Sequence, residues 1–81
     1  MRTATVVLKS VEEVKEFVHL ANEYPEDIDL VSGRYQVNGK SIMGIFSLDL
    51  GAPLQLQVYG DKPEDFLAAA AKFMPESGKE S

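Results

Sequence analysis

Thr3–Leu8 alternates, with Ala4, Val6 and Leu8 on one face. A period of two predicts a half-buried strand. The period then lengthens. Within Val11–Tyr24, Val14, Phe17, Val18 and Ala21 share one stripe flanked by Val11 and Leu20, as on an amphipathic helix. Ser10 precedes that run and Glu13 stands three residues on, a Ser-x-x-Glu capping box, and Pro25 closes the helix. Ile28–Ser32 reads as a second strand, Ile28 and Leu30 inward and Asp29 outward. Ser32-Gly33 signals a turn and Arg34–Val37 its hairpin partner. Asn38-Gly39 breaks that strand. Ser41 then caps a short helix through about Asp49, and Gly51-Ala52-Pro53 forms a loop. Leu54–Tyr59 alternates cleanly, with Leu54, Leu56 and Val58 on one face. Asp61, with Glu64 in capping-box spacing and Pro63 in the first turn, starts a last helix whose buried stripe is Phe66, Leu67, Ala70, Phe73 and Met74. Pro75 ends it.

The order β-α-β-β-α-β-α, with one apolar face per element, predicts a two-layer α+β sandwich. Its outer sheet face is polar at Thr5, Asp29, Gln55 and Gln57, as an antiparallel sheet standing in water allows. Residues 1–75 read as a single domain and 76–81 as a polar tail.

Composition narrows the chemistry. The 81 residues contain no cysteine and one histidine, which excludes a disulfide framework, a thiolate nucleophile or an iron–sulfur cluster and leaves no constellation for a zinc site. No cofactor and no metal is expected. The net charge is −5, so a general nucleic-acid interface, which needs a basic face, is not expected. The acidity is concentrated early, in Glu12, Glu13, Glu16, Glu23, Glu26, Asp27 and Asp29 against Lys15. No apolar run approaches the ~20 residues that span a bilayer, and Met1–Lys9 alternates where a secretory signal would be solidly apolar. A cytoplasmic protein without membrane contact is the expectation.

The short middle helix is the most informative segment. Ile42, Met43, Ile45, Phe46 and Leu48 are all large and apolar. Ile45 and Leu48 fall together and suffice to pack it on the sheet, so Met43 with part of Ile42 and Phe46 is expected to stay exposed. Clustered exposed apolar groups mark protein-contact sites, and methionine suits them. The alternative is that all five belong to the core, covered by the 50–53 loop. Ser41 has two readings as well. Its hydroxyl can cap the helix, or it can accept a phosphoryl group, adding about −1.5 to −2 charge beside Lys40 at the positive end of the helix.

The run Asn38-Gly39-Lys40-Ser41-Ile42-Met43-Gly44-Ile45-Phe46-Ser47-Leu48 closely resembles the region around the regulatory serine of HPr, the phosphocarrier of the bacterial phosphoenolpyruvate:sugar phosphotransferase system. The resemblance covers residues 3–74. It implies an open-faced sandwich with a four-stranded antiparallel sheet of order 1-4-2-3 and three helices on one face. It also implies a departure. HPr carries Gly-x-His-Ala-Arg-Pro-Ala entering the first helix, whereas this chain places Ser10 at the histidine, Glu12 at the arginine and Glu13 at the proline, after a shorter loop. A phosphocarrier needs an imidazole nucleophile and a cation for the phosphoryl oxygens. Ser10 and Glu12 are therefore read as degenerate active-site positions, and no catalytic residue is expected. His19, about two turns into the helix on the side of Glu12 and Glu16, reads as a solvated surface histidine.

What still matches is Ser41 with Lys40, Ile42, Met43 and Phe46. In Gram-positive HPr proteins the corresponding serine is the target of an HPr kinase/phosphorylase, and the modified form docks on a catabolite-control transcription regulator. One paralogue class lacks the histidine and keeps only that role. The resemblance thus implies a non-catalytic regulatory or adaptor protein whose partner is an HPr-kinase-like enzyme, a transcription regulator or a phosphotransferase-system component. Two other readings stand beside it: a phosphocarrier using a displaced nucleophile, Ser10 or His19, and a structural module that self-associates through the apolar ridge as a homodimer. Asp27 and Asp29 form an acidic pair to which no chemistry is assigned.

Overall fold

The computed structural model describes residues 1–75; the polar tail expected over 76–81 lies outside the described residues. The elements are β1 (Arg2–Val6), α1 (Val11–Asn22), β2 (Ile28–Ser32), β3 (Tyr35–Asn38), α2 (Ile42–Phe46), β4 (Leu54–Val58) and α3 (Pro63–Ala69), which continues as a 3-10 turn over Ala70–Phe73. The strands form one antiparallel sheet in the order β1-β4-β2-β3, the predicted topology.

Register follows from the alternation. Ala4 stands opposite Leu56, and Leu56 opposite Leu30, so one row of apolar side chains crosses the sheet. Above it lie Val14, Phe17 and Ala21 of α1, Ile45 of α2, and Phe66, Ala70 and Phe73 of the last helical segment, all buried. Each of the larger side chains among them, Val14, Phe17, Ile45, Phe66 and Phe73, contributes about 1.5–3 kcal/mol by leaving water. Phe17 is the centre of this layer. Phe66 and Phe73 meet it edge-on at 5.8 and 5.5 Å between centroids, and Tyr24 meets Phe66 in the same way at 5.4 Å, the arrangement the ring quadrupoles favour. On the opposite face Thr5 and Gln55 are exposed. There Gln36 donates to Asp29 at 2.7 Å and Tyr59 to Gln57 at 2.8 Å.

Several boundaries differ from the expected ones, each for a local reason. Ser10 does cap α1, its hydroxyl accepting from the Glu13 amide at 3.2 Å, but the Glu13 carboxylate accepts from the Lys9 amide at 2.9 Å, not from Ser10. The reciprocal half of the capping box is displaced by one residue. α1 stops at Asn22, and Tyr24 leaves the helix for the ring of Phe66. α2 stops at Phe46, well short of Asp49. Ser47 folds its hydroxyl onto the Gly44 carbonyl at 2.6 Å, and Leu48 turns into the core beyond the helix. Asp61 does not cap α3. Pro63 takes the first helical position, so the cap falls on Lys62, which makes no side-chain cap bond. The last turn tightens into 3-10 geometry, and Ala70 and Phe73 stay buried while Leu67 and Met74 are only partly covered.

Candidate functional site

The chain leaves β3 through a turn with little room. The Gly39 amide donates to the Ile28 carbonyl at 2.7 Å. A Cβ on Gly39 would sit 2.7 Å from Ile28 Cγ2 and 3.2 Å from its carbonyl oxygen, so only glycine fits. Asn38 closes the turn, its side-chain oxygen accepting from the Lys40 amide at 2.8 Å and its carbonyl from the Ser41 amide at 3.1 Å. Ser41 then starts α2, with its hydroxyl accepting from the Gly44 amide at 3.1 Å. Gly44 has no Cβ to spare either. One built there would lie 3.3 Å from both Ser41 Oγ and Val37 Cβ, so its absence seats α2 closely on β3.

A second set of bonds ties this turn to the far end of α1. Asn22 Nδ2 donates to the Val18 carbonyl at 2.8 Å and to the Lys40 carbonyl at 3.2 Å. Lys40 Nζ donates to the Tyr24 carbonyl at 2.7 Å. The ammonium is thus engaged at the end of α1, where carbonyls lack helical partners, although Lys40 precedes Ser41 in sequence.

α2 presents a divided surface. Ile45 is fully buried and Leu48 nearly so, while Met43 is 77% exposed, Phe46 is 39% exposed and Ile42 is half-buried. The alternative in which all five apolar residues are core does not hold. Ser41 is exposed at the head of the same helix. A hydroxyl, a thioether and part of an aromatic ring therefore share one five-residue element.

The start of α1 carries different chemistry. Ser10 and Glu12 are exposed, Val11 is 50% exposed, and Glu12 and Glu13 put two carboxylates in the first turn. His19 stands well along the helix, its side chain 82% exposed, with Nε2 3.5 Å from the Glu23 carboxylate. Glu16 pairs across to Lys72 of the last turn at 3.0 Å. Among the described residues no group of three His, Cys, Asp or Glu side chains can hold a metal ion, and no helix is long and apolar enough to cross a membrane.

Sequence reading singled out Ser41, Ile42, Met43 and Phe46, which the fold does gather on α2. It missed Asn22, whose pattern in the sequence is that of any surface residue near a helix end. It read Gly39 as a strand breaker and not as the close approach to Ile28.

The family profile described as "PTS HPr component phosphorylation site" matches residues 10–76. Among solved structures, HPr-C-His from Thermoanaerobacter tengcongensis is similar over 100% of this chain and 98% of its own, with 27% identity and a TM-score of 0.79. Crh, the catabolite repression containing protein of Bacillus subtilis, described as an intertwined dimer with a swapping domain, is 29% identical over 90% of this chain and 84% of its own, with a TM-score of 0.70. An HPr dimer from T. tengcongensis is 31% identical over 80% of this chain and 76% of its own, with a TM-score of 0.68. No curated protein sequence matches.

Proposed function

The chain belongs to the HPr family, and from that premise we propose that it is a regulatory adaptor, not a histidine phosphocarrier, docking through α2 with Ser41 as its phosphoacceptor. The observation that carries this reading is that the exposed Ser41 hydroxyl heads the same short helix that exposes the Met43 and Phe46 side chains. An anion placed beside an apolar patch is a specific recognition pair. The Ser41 oxygen already faces the Gly44 amide, so phosphate oxygens at that position meet the unpaired N–H groups of the first turn. In the modification Oγ bonds to the γ-phosphorus of ATP, ADP leaves, and the hydroxyl proton passes to the kinase base.

Histidine phosphotransfer is disfavoured by the same geometry. The single imidazole lies on the open flank of α1 against Glu23, away from free backbone amides. The first turn of α1 holds the Ser10 cap and two carboxylates, which repel an incoming phosphoryl group. The partner is an HPr-kinase-like enzyme followed by a transcription regulator or a phosphotransferase-system component.

Two parallel incubations test the proposal, one with ATP and an HPr kinase, one with phosphoenolpyruvate and enzyme I, each read by intact mass and site mapping. A single added phosphate on Ser41 in the first arm is expected. An acid-labile phosphohistidine in the second arm refutes it.

A second reading concerns assembly. Two of the similar structures are described as dimers, and they align with less of this chain than the T. tengcongensis HPr-C-His structure does. They support a homodimer of this chain as well.

A further inference from the structure

We infer that two copies of this chain join edge to edge through β3, in an antiparallel two-fold pairing that continues the sheet. The inference rests on the homodimer reading above and adds to it the surface that meets. β3 is an edge strand bonded to β2 alone. Sheet edges are commonly protected by a lysine, a proline or a bulge. Tyr35–Asn38 has none of these: its residues are uncharged, and they pair with β2 without a skipped position. The helix layer leaves this rim open. Tyr35 lies on the same face as Val37, against which Gly44 of α2 is seated, yet Tyr35 is 68% exposed.

The backbone groups left free on β3 match their own copy. The Gly39 amide bonds to the Ile28 carbonyl, and in an antiparallel ladder such pairs recur at every second residue. Val37 and Tyr35 therefore turn their backbone groups to β2. Those of Gln36, with the Asn38 amide and the Arg34 carbonyl, point to the open edge. The Asn38 carbonyl agrees with this phase, since it accepts from the Ser41 amide and not from β2. A two-fold axis at Gln36 sets this residue against Gln36 of the second copy, each amide donating to the other's carbonyl. It also sets each Asn38 amide against the opposite Arg34 carbonyl. The same register brings the exposed Tyr35 ring against Val37 of the second copy, an aromatic–β-branched pair of the kind that stabilises strand pairing.

Charge selects a second copy as the occupant. Arg34 immediately precedes β3, is exposed and makes no ion pair among the described residues. Beside the end of β3 lies an open hollow of about 370 Å³ lined by Asp27, Asp29, Asn38 and Tyr59. Asp29 stands opposite Asn38 in the register and already reaches toward the edge, accepting from Gln36 Nε2 at 2.7 Å. Antiparallel pairing puts Arg34 of each copy opposite Asn38 of the other, and so beside that hollow. A cation then meets carboxylates at both ends of the interface, the self-complementarity that a two-fold contact requires. A parallel arrangement sets Arg34 beside Arg34 and leaves both hollows empty. The acidic pair Asp27 and Asp29 thereby acquires a role.

Each copy contributes one strand of 4 residues, so the association is weak and is measured by sedimentation equilibrium up to millimolar concentration. The parent is compared with Gln36→Pro, Arg34→Glu and Met43→Asp, each checked for native circular dichroism. Proline at 36 removes an amide that points away from β2, so the monomer keeps its ladder. The expected result is a parent dimer, no dimer in Gln36→Pro, and dissociation about tenfold easier in Arg34→Glu, where like charges now meet. Adding Asp27→Arg to Arg34→Glu should restore the parent constant, and Met43→Asp should leave it unchanged. Undiminished association in a folded Gln36→Pro overturns the β3 pairing and leaves a homodimer through another face. Should Gln36→Pro not fold, the charge variants decide: an unchanged constant in Arg34→Glu, or no recovery with Asp27→Arg, overturns the pairing. Loss of the dimer in Met43→Asp assigns the contact to α2 and also overturns it. A parent that stays monomeric throughout overturns both the pairing and the homodimer reading.

Discussion

Gly39→Ala tests whether the turn that delivers Ser41 is as tight as its geometry states. Gly39 is buried and does not adopt a left-handed backbone, so the penalty is spatial and not conformational. The new methyl group would sit 2.7 Å from Ile28 Cγ2, where ordinary contact begins at 3.4 Å. Ile28 cannot simply retreat. Its side chain is buried in the core, and its carbonyl is held by the Gly39 amide at 2.7 Å. Overpacking of this kind costs roughly 1–3 kcal/mol. Against it stands a gain of about 0.4–1 kcal/mol from the stiffer unfolded chain. The net loss is about 1–2 kcal/mol, and a domain this size loses roughly 4–8 °C in Tm per kcal/mol. Thermal unfolding followed by circular dichroism should therefore show a Tm lower by about 4–16 °C. Ile28→Leu moves the branch off Cβ and opens space for the methyl. In the double variant the two costs should fall short of additivity by about 0.5–1 kcal/mol, while the carbonyl contact at 3.2 Å leaves the rest. An unchanged or raised Tm in Gly39→Ala, or strict additivity in the cycle, refutes the close-approach argument.

Phe17→Ala removes a fully buried ring that contacts two others; a loss of about 3–5 kcal/mol is expected in urea titration, enough to leave much of the protein unfolded at 37 °C. Ser10→Ala deletes the hydroxyl that caps α1 and should cost about 1 kcal/mol in the same titration, with no change in the denaturant slope m. Met43→Asp alters an exposed side chain, so stability should stay within about 0.5 kcal/mol of the parent, while binding of the phosphorylated protein to its partner, measured by calorimetry, should fall at least tenfold.

Alternation was the most legible signal. Leu54, Leu56 and Val58 are buried as their spacing requires, and so are Ile28 and Leu30. The helical phase of Ile45 against Met43 likewise separates the buried side of α2 from the exposed one. What the spacing could not convey is competition at element ends. Asp61 has the composition of a cap, but Pro63 is a still stronger determinant of where the first turn begins, and it shifts the cap to Lys62. Ser47 reads as a helix residue until its hydroxyl finds the Gly44 carbonyl. Contacts between distant segments leave no periodic trace, which is why the bond from Lys40 to the Tyr24 carbonyl was illegible although both residues were in view.

That bond bears on how α2 can serve as a docking element at all. Five residues are too few to hold a helix in water by propagation alone, since isolated helices below about 12–15 residues are marginal. The chain compensates from outside the helix. Ser41 caps the front, Ser47 closes the back, Gly44 lets the backbone settle on Val37, and Lys40 with Asn22 binds the preceding turn to α1. Ile45 supplies the one full burial. With its position held by these neighbours, the remaining face does not need Met43 or Phe46 for stability. Those side chains are free to be apolar and exposed, a combination that fits recognition of another protein better than it fits packing.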